Sequence, residues 1–120
     1  MSQTMTKVPA SPGQAYDRDK LVELFGDDPA TLAEVEREFI DTARTAEREI
    51  KETDDFVAIA RAAHRLKGAS GMIGAVSLRR IAEAVERAAK AEDLPTVRRL
   101  REMFGHEVRR VAEQAGVAGD

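Results

Sequence analysis

Residues 53–74 read TDDFVAIARAAHRLKGASGMIG, and the period inside this stretch decides the fold. Phe56, Ile59, Ala63, Leu66, Ser70 and Ile73 recur at steps of three and four, the spacing of one inward stripe on an α-helix. Thr53, Asp54 and Asp55 stand just before them, where a side-chain oxygen can cap free amides and negative charge suits the helix dipole. Gly74 is the natural stop. About a quarter turn from the stripe, at roughly 100° per residue, fall His64, Lys67, Gly68 and Gly71. Glycine costs a helix interior about 1 kcal/mol relative to alanine. Two glycines beside a histidine and a lysine therefore suggest a helix face cleared for close approach.

The same period recurs on both sides. Upstream, Asp27 or Asp28 can cap a helix with Pro29 in its first turn, and Leu32, Val35, Phe39, Ala43, Ala46 and Ile50 carry its stripe to an end near Glu52. Downstream, Ser77 is the expected cap of a helix whose stripe is Leu78, Ile81, Val85 and Ala88. Asp93 and Pro95 open the last, with Val97, Leu100, Phe104, Val108 and Val111 before Gly116. A short helix from about Asp17 to Phe25 precedes them all, with Leu21, Val22, Leu24 and Phe25 as its expected apolar contacts and Gly26 at its end. Short connections make neighbouring helices antiparallel. The expected fold is all-α, an antiparallel up-down-up-down four-helix bundle with a short extra N-terminal helix. It should occupy residues 16–116, between a flexible tail over 1–15 and a frayed end over 117–120. The four stripes can satisfy one another, which favours a monomer. The start at Met1, with little chain beyond the last helix, reads as a separate protein.

Composition removes several functions. The 120 residues suit one domain, and 42% are hydrophobic, enough for a core. The net charge of −3 lacks the basic footprint that nucleic acid requires. No cysteine is present, which excludes disulfides, thiolate catalysis and cysteine-held metal. No apolar run reaches the length of a membrane span, and the N-terminus lacks the apolar core of a secretory signal. No membrane partner is expected, and a cytoplasmic location is the default. His106 has no matching neighbours and reads as a surface or boundary residue. No His-x-x-x-His pair supports a zinc site joining it to His64.

Between Phe56 and Gly74 there is no Asp or Glu, while Arg61, Arg65 and Lys67 are present. An acidic protein has kept one helix basic around its histidine. Such a field attracts an acidic partner surface and favours an anion on the ring. A neutral imidazole nitrogen is a nucleophile near pH 7, and phosphoryl transfer is mainly positioning and charge neutralisation. Lys67, one turn along, can meet phosphoryl oxygens, and Gly68 removes the side chain that would block an incoming active site.

The pattern His64-x-Leu66-Lys67-Gly68-x-Ser70-x-x-x-Gly74-Ala75, followed by Leu78, Ile81, Val85 and Glu86, resembles the histidine-containing phosphotransfer (HPt) family. Leu24-Phe25-Gly26-Asp27-Asp28 and Phe39 fit it too, so the resemblance spans roughly Asp19 to Val111. It implies a phosphorelay carrier that takes a phosphoryl group from the aspartate of one receiver domain and passes it to the aspartate of another. It further implies His64 as the phosphorylated residue, Lys67 as charge partner and Gly68 as the clearance position. Partners would be response-regulator receivers and a sensor or hybrid histidine kinase, with Arg61, Arg65 and Gly71 on the partner surface. No cofactor of its own is implied, and Mg²⁺ is expected only in the receiver. Glu86 stands where some relatives hydrogen-bond the active imidazole. It could orient the ring, or form an i,i+4 pair with Lys90. Gly71 could serve access or a tight helix crossing. The alternative function is a docking module that carries no phosphate. An autonomous kinase or phosphatase is disfavoured, because no nucleotide loop or second catalytic group accompanies His64.

Overall fold

The computed structural model describes residues 14–116. The ends 1–13 and 117–120, where a flexible tail and a frayed terminus were expected, lie outside the described residues. Five helices follow in order: α1 (Arg18–Phe25), α2 (Pro29–Lys51), α3 (Phe56–Met72), α4 (Val76–Lys90) and α5 (Leu94–Ala115). No strand occurs among the described residues. Helices α2 to α5 close a ring in which α2 packs on α3, α3 on α4, α4 on α5 and α5 back on α2. This is the expected four-helix bundle. Helix α1 lies outside it and packs on α2.

The starts follow local chemistry. Aspartates cap four of the five helices: the side chains of Asp17, Asp28, Asp55 and Asp93 accept from amides of the first turns of α1, α2, α3 and α5. Pro29 and Pro95 sit in first turns, where the missing N–H would have no partner in any case. The core is aliphatic, with Ile40, Ile50, Ile59, Leu66, Leu78, Val85, Val97, Phe104 and Val111 almost wholly removed from water. Burial of such a side chain is worth about 1.5–3 kcal/mol.

The start of α4 differs from expectation. Ser77 does not cap it; Ala75 holds the N-cap position and no side chain caps the helix. The reason lies in the preceding turn. Gly74 is left-handed at φ 70°, the Ala75 N–H bonds the Ser70 carbonyl at 2.9 Å, and the Gly74 N–H bonds Gly71 at 3.4 Å. This paired arrangement is a Schellman turn. Ala75 thus ends α3 and, through its carbonyl on the Arg79 N–H, begins α4, so the helix starts before Ser77 can cap it.

Two further expectations fail at the N-terminal side. Val22, Leu24 and Phe25 are exposed, and Leu21 alone is buried in α1. An eight-residue helix lying outside the ring turns only one residue fully inward. Conversely, Ala15, assigned to the tail, is buried together with Tyr16. Gln114 of α5 accepts from both of their amides and donates to the Tyr16 carbonyl, which seats the segment against the bundle.

Candidate functional site

His64 lies in the middle of α3, where Leu66 and Ala63 anchor the helix to the core and leave its flank open. The imidazole side chain is 68% exposed. Its Nδ1 lies 2.9 Å from Oε2 of Glu86 on α4. Glu86 is buried, at 7% side-chain exposure, and it gathers two ammonium groups as well. Lys67 Nζ lies 3.0 Å from Oε1, and Lys90 Nζ lies 3.2 Å from Oε2. Burial pushes the Glu86 carboxyl up, but hydrogen bonds from Lys67, Lys90 and His64 outweigh it and hold the group down at about 2. Glu86 is therefore ionised at neutral pH.

That state fixes the ring. An ionised carboxylate can only accept, so the proton shared with it belongs to Nδ1. The neutral imidazole then carries an unprotonated Nε2 on its far side. The ring is exposed to solvent and is held on one side through Nδ1.

Gly68 and Gly71 play different parts. A Cβ built on Gly68 meets nothing within 4 Å, so the approach beside His64 is open. A Cβ on Gly71 would touch Cδ and Nε of Arg79, both at 3.5 Å. The arginine stem of α4 therefore lies beside Gly71, at ordinary contact distance from where a side chain would begin. Arg61 and Arg65 are exposed, and Arg65 pairs with Glu49 of α2 at 2.6 Å. His64, Lys67 and Glu86 are thus brought into one cluster, with Gly68 clear beside it.

Glu86 meets both of its alternatives at once, since it contacts His64 and also pairs with Lys90. Lys90 was visible in the sequence only as the residue four positions after Glu86. Arg79 was missed. Its relation to Gly71 joins two helices and leaves no mark on the local pattern. His106 is exposed on α5, away from this cluster in the chain and on another helix. Among the described residues, no group of three or more His, Cys, Asp or Glu could hold a metal ion. No helix among them is long and apolar enough to cross a membrane.

The fold and the site together define an all-α four-helix bundle that presents an exposed imidazole held by a buried carboxylate. The family model for the Hpt domain matches residues 20–115, and the chain belongs to the Hpt domain family. Neither a curated protein nor a solved structure matches it. Family membership places the chain in phosphotransfer of two-component signalling, as a carrier module rather than a kinase, with receiver domains and histidine kinases as its kind of partner.

Proposed function

We propose that the protein carries a phosphoryl group on Nε2 of His64, taking it from the aspartyl phosphate of one receiver and giving it to the aspartate of another. The observation that carries this reading is the 2.9 Å contact between Nδ1 and the ionised Glu86. It leaves Nε2 as the free nucleophile on an exposed ring.

In the loading step the Nε2 lone pair forms a bond to phosphorus while the bond from phosphorus to the aspartate oxygen breaks. The aspartate leaves as a carboxylate. Nδ1 keeps its proton, so the phosphorylated ring is an imidazolium, and its new positive charge develops against the Glu86 carboxylate. The charge that forms is met by a group already in place, without reorganisation. Lys67, 3.0 Å from the other Glu86 oxygen, stands one turn from His64 and supplies a cation for the phosphoryl oxygens. Gly68 leaves room for the receiver's active site. Mg²⁺ belongs in this scheme to the receiver, and the carrier contributes no metal ligand.

The test is to incubate the protein with a phosphorylated receiver and follow acid-labile, alkali-stable label. Wild type should take up label and His64→Gln should not. Label persisting in His64→Gln would remove this residue from the mechanism. Receiver binding without any label would leave the docking-module reading instead. Gly68→Gln should keep the wild-type fold, because nothing stands within 4 Å of the added Cβ, yet slow the transfer.

A further inference from the structure

Most of the cations around His64 are already engaged. Lys67 and Lys90 share Glu86, and Arg65 is paired with Glu49. Arg79 is exposed and has no ion pair or hydrogen bond among the described residues. Its position is nevertheless defined, because its stem lies on the space left by Gly71. Gly71 follows His64 by seven residues on α3, and Arg79 precedes Glu86 by seven on α4. Seven residues are two turns, about 10.5 Å along the axis and only about 20° off in azimuth. Arg79 is therefore delivered to the His64 face from the corner end of the antiparallel pair. Lys20 of α1 reaches the same spot, with Nζ donating to the Gly71 carbonyl at 3.1 Å. The nearby Asp17 side chain is occupied in capping α1.

A second observation is independent of this geometry. The first turn of α4 carries no acidic residue and no side-chain cap, and Arg79 with Arg80 follows directly. Cations are unfavourable at a helix N-terminus. A residue placed against its local electrostatics, without a compensating partner, is characteristic of a functional position. On the other side of His64, Arg61 lies three residues upstream, exposed and likewise without a partner among the described residues. Gly71 and Arg61 are ten residues apart, about 15 Å along α3.

We propose that Arg79, with Arg61 at the opposite end of the stripe, forms a pair of free cationic contacts that docks the acidic rim of the receiver around His64. This rests on the phosphotransfer reading above and names the residues that select its partner. The occupant is a protein surface bearing carboxylates on both sides of its phosphoryl-accepting cleft. Arg79 acts on the encounter with that protein and takes no part in the chemical step at Nε2.

The experiment compares two phosphoryl donors of different size. Phosphoramidate, a small donor, loads His64 when Nε2 bonds phosphorus and ammonia leaves. A set of receivers charged with acetyl phosphate supplies the protein donors, and the one that labels wild type fastest is used. Arg79→Glu should slow labelling from the receiver at low salt by about tenfold or more, and the gap should close at high salt. Arg79→Lys should stay within about threefold of wild type, since it keeps the charge. Labelling by phosphoramidate should be the same in all three proteins. Arg79→Glu should also melt no lower than wild type, because an acidic residue suits the start of α4. Receiver labelling of Arg79→Glu at the wild-type rate, or equal slowing with both donors, overturns the inference while the carrier reading stands. Failure of every donor to label wild-type His64 overturns both.

Discussion

A carboxylate buried at the flank of a bundle is stable only in charged company, and Glu86 has His64, Lys67 and Lys90 within 3.2 Å. Its pKa falls from the usual 4.5 to about 2. A carboxyl lowered on folding stabilises the native state above its unfolded value, and that contribution disappears as pH falls through the folded value. Wild type should therefore exceed Glu86→Gln in urea midpoint above about pH 4.5, with the difference shrinking steadily between pH 4.5 and 2. A difference that stays constant across this window would show that the carboxylate is not ionised by its neighbours. Much of the site was legible at this scale. The spacing that puts His64, Lys67 and Gly68 on one flank of α3 needs only helical geometry. Two conclusions needed coordinates, namely that Glu86 contacts the imidazole and Lys90 together, and that Arg79 lies beside Gly71. Both depend on where long side chains cross between α3 and α4, and sequence spacing describes one helix at a time.

Helix boundaries were read well where an aspartate caps and poorly where a turn does the work. Ser77 has the chemistry of a cap, yet the Schellman turn at Gly74 sets the start of α4 two residues earlier. The next corner repeats the device with a different residue. The Asp93 N–H bonds the Ala88 carbonyl and the Glu92 N–H bonds Ala89, with Glu92 at φ 57° in the position that Gly74 fills in the first corner. A side chain in this left-handed region costs about 1–2 kcal/mol, partly offset by the entropy that glycine adds to the unfolded chain. Glu92→Gly should therefore raise stability by about 0.5–1 kcal/mol, or about 2–6 °C in Tm. Gly74→Ala should act in the opposite direction and more strongly, losing about 2 kcal/mol or more. The added Cβ meets backbone strain and also stands 2.7 Å from Cβ of Asp17. Thermal melts of the two variants check both signs, and a neutral Gly74→Ala would refute the account of this corner.

At the scale of the molecule, the least legible part was the attachment of the N-terminal segment. Its contacts join residues nearly a hundred positions apart, and no local pattern announces such a pairing. Tyr16 is fully buried, and its hydroxyl donates to Glu36 of α2. That burial and the carboxylate beside it push the phenol upward, beyond its ordinary range. The Asp17 N–H bonds the Ile73 carbonyl at 3.0 Å, and Gln114 holds Ala15 and Tyr16 from α5. Three residues therefore tie α1 to α2, to the α3–α4 corner and to the end of α5. These ties add to what α1 itself supplies, namely buried Leu21, the Lys20 bond to the Gly71 carbonyl and the Arg18–Glu36 pair. Gln114→Ala removes the three hydrogen bonds to α5. At about 0.5–1.5 kcal/mol each, their loss should let the segment open well below the free energy of global unfolding. Amide hydrogen exchange should then quicken over residues 15–25, while α3 around Leu66 keeps its protection. If residues 15–25 and α3 lose protection together, the segment is part of the cooperative core. If neither changes, Tyr16 and Asp17 suffice to hold α1 without Gln114.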